Sequence, residues 1–242
     1  MCIRDRLKAN SNITSKTDFL EGQVLLLNKP LGWSSFDVVK KVRGIIKSSK
    51  NIRKIKVGHA GTLDPLADGL LIICTGKFTK RIDEIQGQKK VYTGEITLGT
   101  TTPSYDKETE VDQTFDVSKI TDKIIHKTSK KFEGKIMQKP PIFSALKREG
   151  KRLYLHAREG TKVEIQAREV KIESFKIISI EIPKITFEII CSKGTYIRSL
   201  AHDFGKELNN GAHLSSLRRE MIGDFNFSDA ISIDSFKENI LK

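Results

Sequence analysis

Residues 57–65 read Val57-Gly58-His59-Ala60-Gly61-Thr62-Leu63-Asp64-Pro65, and Asp64 is the only acid among them. A lone carboxylate held in a turn can act as a nucleophile or as a general base. Pro65 disfavours helical geometry at Asp64 and holds it extended, which helps aim the carboxylate in a fixed direction. Gly58 and Gly61 permit backbone angles, and close approach of a ligand, that side chains would forbid. The same residues also suit a plain turn, and a lone loop histidine such as His59 is commonly a surface residue.

The flanking residues must hold this stretch in place. Before it, Ile55 and Val57 alternate with lysines like one face of a half-buried strand. After it, the run from Gly69 to Cys74 is that of a fully buried strand. Upstream, Val24 to Leu27 read as a strand leading into a turn, Asn28-Lys29-Pro30-Leu31-Gly32-Trp33-Ser34-Ser35, with a helix-starting serine. Apolar residues 38, 39, 42, 45 and 46 then repeat at helical spacing. Residues 75–84 predict a short helix. Residues 89–99 alternate at period two and place Tyr92, Gly94, Ile96 and Leu98 on one face, so Tyr92 taken alone is a core tyrosine. Residues 100–115 form a polar loop and 118–132 an amphipathic helix. Residues 162–190 predict two or three antiparallel strands with Pro183 at a turn. Gly194-Thr195 can cap a further helix, whose buried face is Ile197, Leu200, Ala201, Phe204 and Leu208. Arg198 lies off that stripe in the first turn, where the helix dipole favours carboxylates over cations. A short helix closes 229–241.

The chain has 242 residues, 43 basic against 30 acidic, for a net charge of +13. Such a balance suits a polyanionic partner, nucleic acid first among them, without identifying it. Three widely spaced cysteines give neither a disulfide framework nor a zinc pattern, which argues for a reducing cytoplasm. No apolar run is long enough to span a membrane. The first twenty residues lack periodicity and a signal-peptide core, and are read as a frayed tail, with one domain over 21–242.

Five motifs, taken together, resemble the bacterial tRNA pseudouridine-55 synthases (the TruB family). Gly58-His59-x-Gly61-x-Leu63-Asp64-Pro65-x-Ala67-x-Gly69 is the first, and Asn28-Lys29-Pro30-x-Gly32-x-Ser34-Ser35 is the second. Lys90-x-Tyr92-x-Gly94 through Leu98-Gly99 is the third. Gln138-x-Pro140-Pro141-x-Phe143-Ser144-Ala145-x-Lys147, continuing through Leu153-Tyr154 to Ala157-Arg158-x-Gly160, is the fourth. Cys191-Ser192-x-Gly194-Thr195-Tyr196-Ile197-Arg198 is the fifth. A weaker segment, Thr102-Pro103-Ser104-Tyr105-Asp106, has serine for the family's second threonine, and Thr109 stands where glycine is usual.

The resemblance implies an α+β pseudouridine synthase fold, with a mixed, mostly antiparallel central sheet flanked by helices. It also implies an inserted loop, about 134–160, that grips RNA as a thumb. Asp64 would be the catalytic residue, Tyr92 would lie beneath the target base, and Arg198 would pair with the aspartate. His59, Tyr196, Asp106, Lys147, Tyr154 and Arg158 would contact substrate. The reaction would isomerise a swung-out T-loop uridine of tRNA without cofactor or metal, by a monomer. Many bacterial members continue into a small RNA-binding (PUA-type) domain, which is not expected here. Asp68 stands where threonine or serine is usual. Two other readings stay open: a non-catalytic tRNA-binding or RNA-folding module, and a guide-RNA-dependent relative.

Overall fold

The structure, a computed structural model, describes residues 13–241 except 145, 149 and 162; the side chains of 147, 148 and 158 also lie outside the description. In chain order the elements are β1 (Val24–Lys29), α1 (Ser35–Lys50), β2 (Val57–His59), β3 (Ala67–Thr75), a 3-10 turn (Gly76–Arg81), α2 (Ile82–Gln86), β4 (Lys90–Leu98), β5 (Thr100–Thr101), β6 (Gln113–Thr114), α3 (Asp122–Lys131) and β7 (Gly134–Gln138). Then follow β8 (Lys147–Arg148), β9 (Lys151–Arg152), α4 (Leu153–Arg158), β10 (Arg168–Glu181), β11 (Lys184–Cys191), α5 (Ile197–Glu207), β12 (Ala212–Ile222), β13 (Phe225–Asn226) and α6 (Ile233–Leu241). The described residues divide into two compact units, one of residues 13–92 with 217–241 and one of residues 93–216.

In the first unit β3 is the central strand. It pairs antiparallel with β1 and β2 and, at residues 67–69, parallel with β12. The apolar runs of β1 and β3 are continuous because both faces are covered. Leu25, Leu27, Leu71 and Ile73 point into one core, which also holds Val38, Val39, Val42, Ile45 and Ile46 of α1 and Phe236 and Ile240 of α6. Val24, Leu26, Leu70, Ile72 and Cys74 point into the other, with Ile85, Ile222 and Phe225. Each of these buried aliphatic side chains contributes about 1.5–3 kcal/mol of transfer free energy, before chain entropy is subtracted. The predicted apolar face of α1 is thus the observed one. Ser34 caps the helix, accepting from the Asp37 amide while the Asp37 carboxylate accepts from the Ser34 amide.

Residues 1–12 of the segment read as a frayed tail lie outside the described residues. Residues 13–20 do not fit that reading, because Ile13 and Phe19 are buried in the first core, Phe19 edge-on to Phe236. Two isolated apolar residues carry no periodicity, so the sequence gives no sign of their burial.

In the second unit the strand order runs β4, β11, β10, β7, with β10 antiparallel to both β11 and β7. Pro183 sits at the β10–β11 turn, as the sequence predicts. Phe132, Phe175, Phe187 and Phe204 form a cluster of edge-to-face and tilted rings that seats α3 and α5. The polar loop 100–115 contains a short hairpin, β5 with β6. Among the described residues no helix is long and apolar enough to cross a membrane.

Candidate functional site

Asp64 is half-buried in the β2–β3 connection, and the backbone on both sides of it is anchored. The Ser35 hydroxyl donates to the Leu63 carbonyl at 2.9 Å and accepts from the Leu63 amide at 2.8 Å. The Gly32 amide donates to the Pro65 carbonyl at 2.8 Å, and Lys29 Nζ reaches the same oxygen at 3.4 Å. The Asp64 carbonyl accepts from the Ala67 amide at 3.1 Å. Arg219 is buried beneath the loop: its Nη2 donates to Gly61 O at 3.0 Å, its Nη1 to Thr62 O at 3.3 Å and its Nε to Leu70 O at 2.9 Å. Gly61 sits at φ +109°, a conformation that side chains disfavour. A carboxylate on so fixed a backbone is held ready for a reacting atom instead of being ordered by it.

Two buried cations lie under this turn, and their side chains donate to backbone carbonyls. Besides Pro65, Lys29 Nζ donates to Pro30 O at 2.9 Å and Trp33 O at 2.6 Å. Burial lowers the Lys29 ammonium to about 8, and attraction to Asp68 and Asp64 works against that shift. Burial, reinforced by Arg219, also holds His59 below the usual imidazole range, so its ring stays neutral near pH 7. Asp68 is taken up by Arg218, whose Nε and Nη2 both lie 2.9 Å from its carboxylate oxygens in a bidentate pair.

The Lys29 shift has a testable sign. Between about 8 and the ordinary 10.5 the unfolded chain holds a proton that the folded chain has released. Stability from this group therefore rises with pH across that window and is flat below it. In denaturant unfolding from pH 7 to 10.5, the wild type should gain stability relative to Lys29→Met as pH rises through the window. Parallel curves for the two proteins would refute the shift.

Tyr92 lies on β4 with only 8% of its surface exposed, on the buried face the alternation predicts. Arg198, off the apolar stripe as the sequence places it, is nonetheless buried, 3% exposed. The stripe counts only one packing neighbour, whereas residues distant in sequence cover the other side of the helix start. Its Nε lies 3.6 Å from Asp106 Oδ2, with both side chains buried. Its Nη1 donates to Ser104 O at 3.3 Å and its Nη2 to Phe143 O at 3.0 Å. The structure thus brings together Arg198 and Asp106 from the predicted set. The two departures from the family pattern in this loop answer one another: Ser104 Oγ and Thr109 Oγ1 are 2.9 Å apart, and the Ser104 amide donates to Thr109 Oγ1 at 3.1 Å.

Tyr196, and not Gly194-Thr195, is the N-cap of α5. Gln138 holds this residue in place, accepting from the Tyr196 amide at 2.8 Å and donating to its carbonyl at 3.0 Å. The Arg168 guanidinium stands 4.9 Å from the Tyr196 ring centroid. Tyr154 is half-buried on α4, and its amide donates to Ser144 O at 3.1 Å. Lys147 on β8 and Arg158 on α4 have side chains outside the described residues. Sequence reasoning missed Ser35, Arg218, Arg219, Gln138 and Arg168 as supporting residues. Adjacent arginines on a strand point to opposite faces, so the pair at 218 and 219 held a weak signal that one of them is buried.

A family model described as "TruB family pseudouridylate synthase (N terminal domain)" matches residues 47–197. The chain is 57% identical over 224 residues to tRNA pseudouridine synthase B of Flavobacterium johnsoniae, covering 92% of this chain and 98% of that protein. It is 49% identical over 221 residues to the protein of the same name from Phocaeicola vulgatus, with coverage of 91% and 94%. Among solved structures, a chain of a Cbf5–Nop10–Gar1 complex is similar at a TM-score of 0.68 and 27% identity, over 96% of this chain and 62% of that one. The archaeal box H/ACA sRNP Nop10–Cbf5 complex matches in fold at a TM-score of 0.65 and 24% identity, over 97% and 60%. The chain therefore spans about three fifths of those solved chains.

Proposed function

The chain belongs to the TruB family of pseudouridylate synthases, and from that membership we propose that it converts uridine 55, in the T-loop of tRNA, to pseudouridine at Asp64. It is a tRNA pseudouridine synthase, an isomerase. In the reaction the N1–C1′ glycosidic bond breaks, the uracil turns, and a C5–C1′ bond forms. The C5 proton is lost and N1 gains one, so substrate and product are isomers and no redox partner enters. Asp64 acts at the sugar, either by attack on C1′ or by removing a proton. The observation that carries this reading is the turn 60–67, fixed by Ser35, Lys29 and Arg219 around a half-buried carboxylate.

Tyr92 stacks under the target base, and His59, kept neutral, fills the space the base leaves, offsetting part of the few kcal/mol that extrusion costs. Arg198 and Tyr196 complete the catalytic set, and Asp106 positions Arg198. The basic stretch 134–160, with Lys147, Tyr154 and Arg158, grips the T-arm by its phosphates and shape. The protein works as a cytoplasmic monomer, and residues 21–242 act as one catalytic module.

The test is to incubate the purified protein with an unmodified tRNA transcript and map pseudouridine. One new pseudouridine in the T-loop is expected. No modification, or modification elsewhere, overturns the assignment. Since the similar solved chains are in complexes with other proteins, turnover of the bare transcript also excludes dependence on a guide RNA or partner.

A further inference from the structure

The first unit exposes Leu31, Trp33, Phe36 and Leu66, large apolar side chains within a single turn, the start of α1 and the Asp64 loop. Soluble proteins rarely leave such a cluster open without an occupant. The turn that carries Leu31 and Trp33 is tied to the Asp64 loop, because the Gly32 amide and Lys29 Nζ share the Pro65 carbonyl. From Trp33 a groove of about 680 Å³ runs along α1 past Lys40, Lys41 and Gly44 to Lys237 and Leu241. Lys40 Nζ stands 5.1 Å from the Phe36 ring centroid. Asp37, the one acid on the lining, is already engaged in capping α1. The free charge of the groove is therefore positive, beside aromatic surface, and suits a base stacked on a ring with its phosphates on lysines.

We propose that this groove is a second RNA-binding surface, which takes an unpaired nucleotide of the substrate on Trp33 and its phosphates on Lys40 and Lys41. The proposal rests on the tRNA reading above. It places a stacking platform on a turn hydrogen-bonded to the Asp64 loop, so a flanking nucleotide docked there registers the target sugar on the carboxylate.

Trp33 is the only tryptophan in the chain, so its emission reports on the groove alone. Titration of the full chain with an unmodified T-arm stem-loop should quench Trp33 and shield it from acrylamide, at the midpoint given by anisotropy of labelled RNA. Gly44 supplies a variant that keeps the fold: a Cβ there meets nothing within 4 Å, and glutamate is the better helix former. Gly44→Glu should melt no lower than the wild type and weaken stem-loop affinity by about tenfold, because the added carboxylate repels the phosphates held on Lys40 and Lys41. Replacing Lys40 and Lys41 by Gln should reduce the salt dependence of log K by about 1–2, one phosphate or two. RNA that binds without altering Trp33, or with wild-type affinity for Gly44→Glu, overturns the groove and leaves the tRNA assignment standing. Absence of any RNA binding overturns both. Shielding of Trp33 that grows with protein concentration without RNA identifies a second copy of the chain as occupant and also overturns the proposal.

Discussion

Asp64→Asn should abolish pseudouridine formation while tRNA affinity stays within about twofold of the wild type. The amide is isosteric and keeps the turn, which Ser35, Gly32 and Arg219 hold through the backbone of residues 61–65. What it loses is charge and nucleophilicity at one position. Loss of a nucleophile costs on the order of 10⁴–10⁶ in turnover where it acts as part of a unit. Single-turnover assays with mass-checked protein, free of aspartate restored by deamidation, measure the effect. Retained turnover by that protein would remove Asp64 from the chemistry and leave a basic RNA binder.

Arg219→Leu is the second large effect, and it acts on both stability and rate. The guanidinium is 1% exposed and donates to three carbonyls, at Gly61, Thr62 and Leu70. Leucine fills part of the volume and supplies no donor, so buried acceptors are left unpaired at about 1–3 kcal/mol each. We expect a net loss of roughly 3 kcal/mol in denaturant unfolding, since some of these oxygens find water. The rate should fall further than the folded fraction does, by about a hundredfold, because a shift of about 1 Å in a catalytic group costs that much. Arg219 is a positioning residue, so the loss should appear in the rate at saturating RNA while RNA affinity changes little. A variant that is less stable but turns over normally when fully folded would reduce Arg219 to a packing role.

Much of this architecture could be read directly from the chain. The apolar stripe at 38, 39, 42, 45 and 46 is the buried face of α1, and the continuous runs at 24–27 and 69–74 are strands covered on both sides. The motif around Asp64 was visible because proline, glycine and a lone acid leave a local mark. Among its supports, Lys29, Gly32 and Ser35 fall within the second motif, whereas Arg219 leaves only the weak mark of two adjacent arginines on a strand. Arg219 reaches the loop across more than 140 residues, and its neighbour Arg218 looks the same in sequence yet lies at the surface paired with Asp68. The burial of Arg198 left no mark for the same reason, since the segments that cover it carry Ser104, Asp106 and Phe143. Periodicity reports the face an element turns to its nearest layer. It is silent on cover that arrives from distant parts of the chain.

The parallel contact between β3 and β12 has a consequence for when the enzyme becomes competent. Arg219 pairs in register with Gly69, and a Cβ at Gly69 would come within 2.5 Å of the Arg219 carbonyl oxygen, so this seam closes only with glycine there. The clamp lies 149 to 158 positions downstream of the carbonyls it holds. At about 5–20 residues per second of translation, the turn with Asp64 waits roughly 8–30 s on the ribosome before its arginine is made. Nascent chains that stop short of β12 therefore carry Asp64, the proposed catalytic acid, without its anchor, and isomerase activity should arrive late in synthesis.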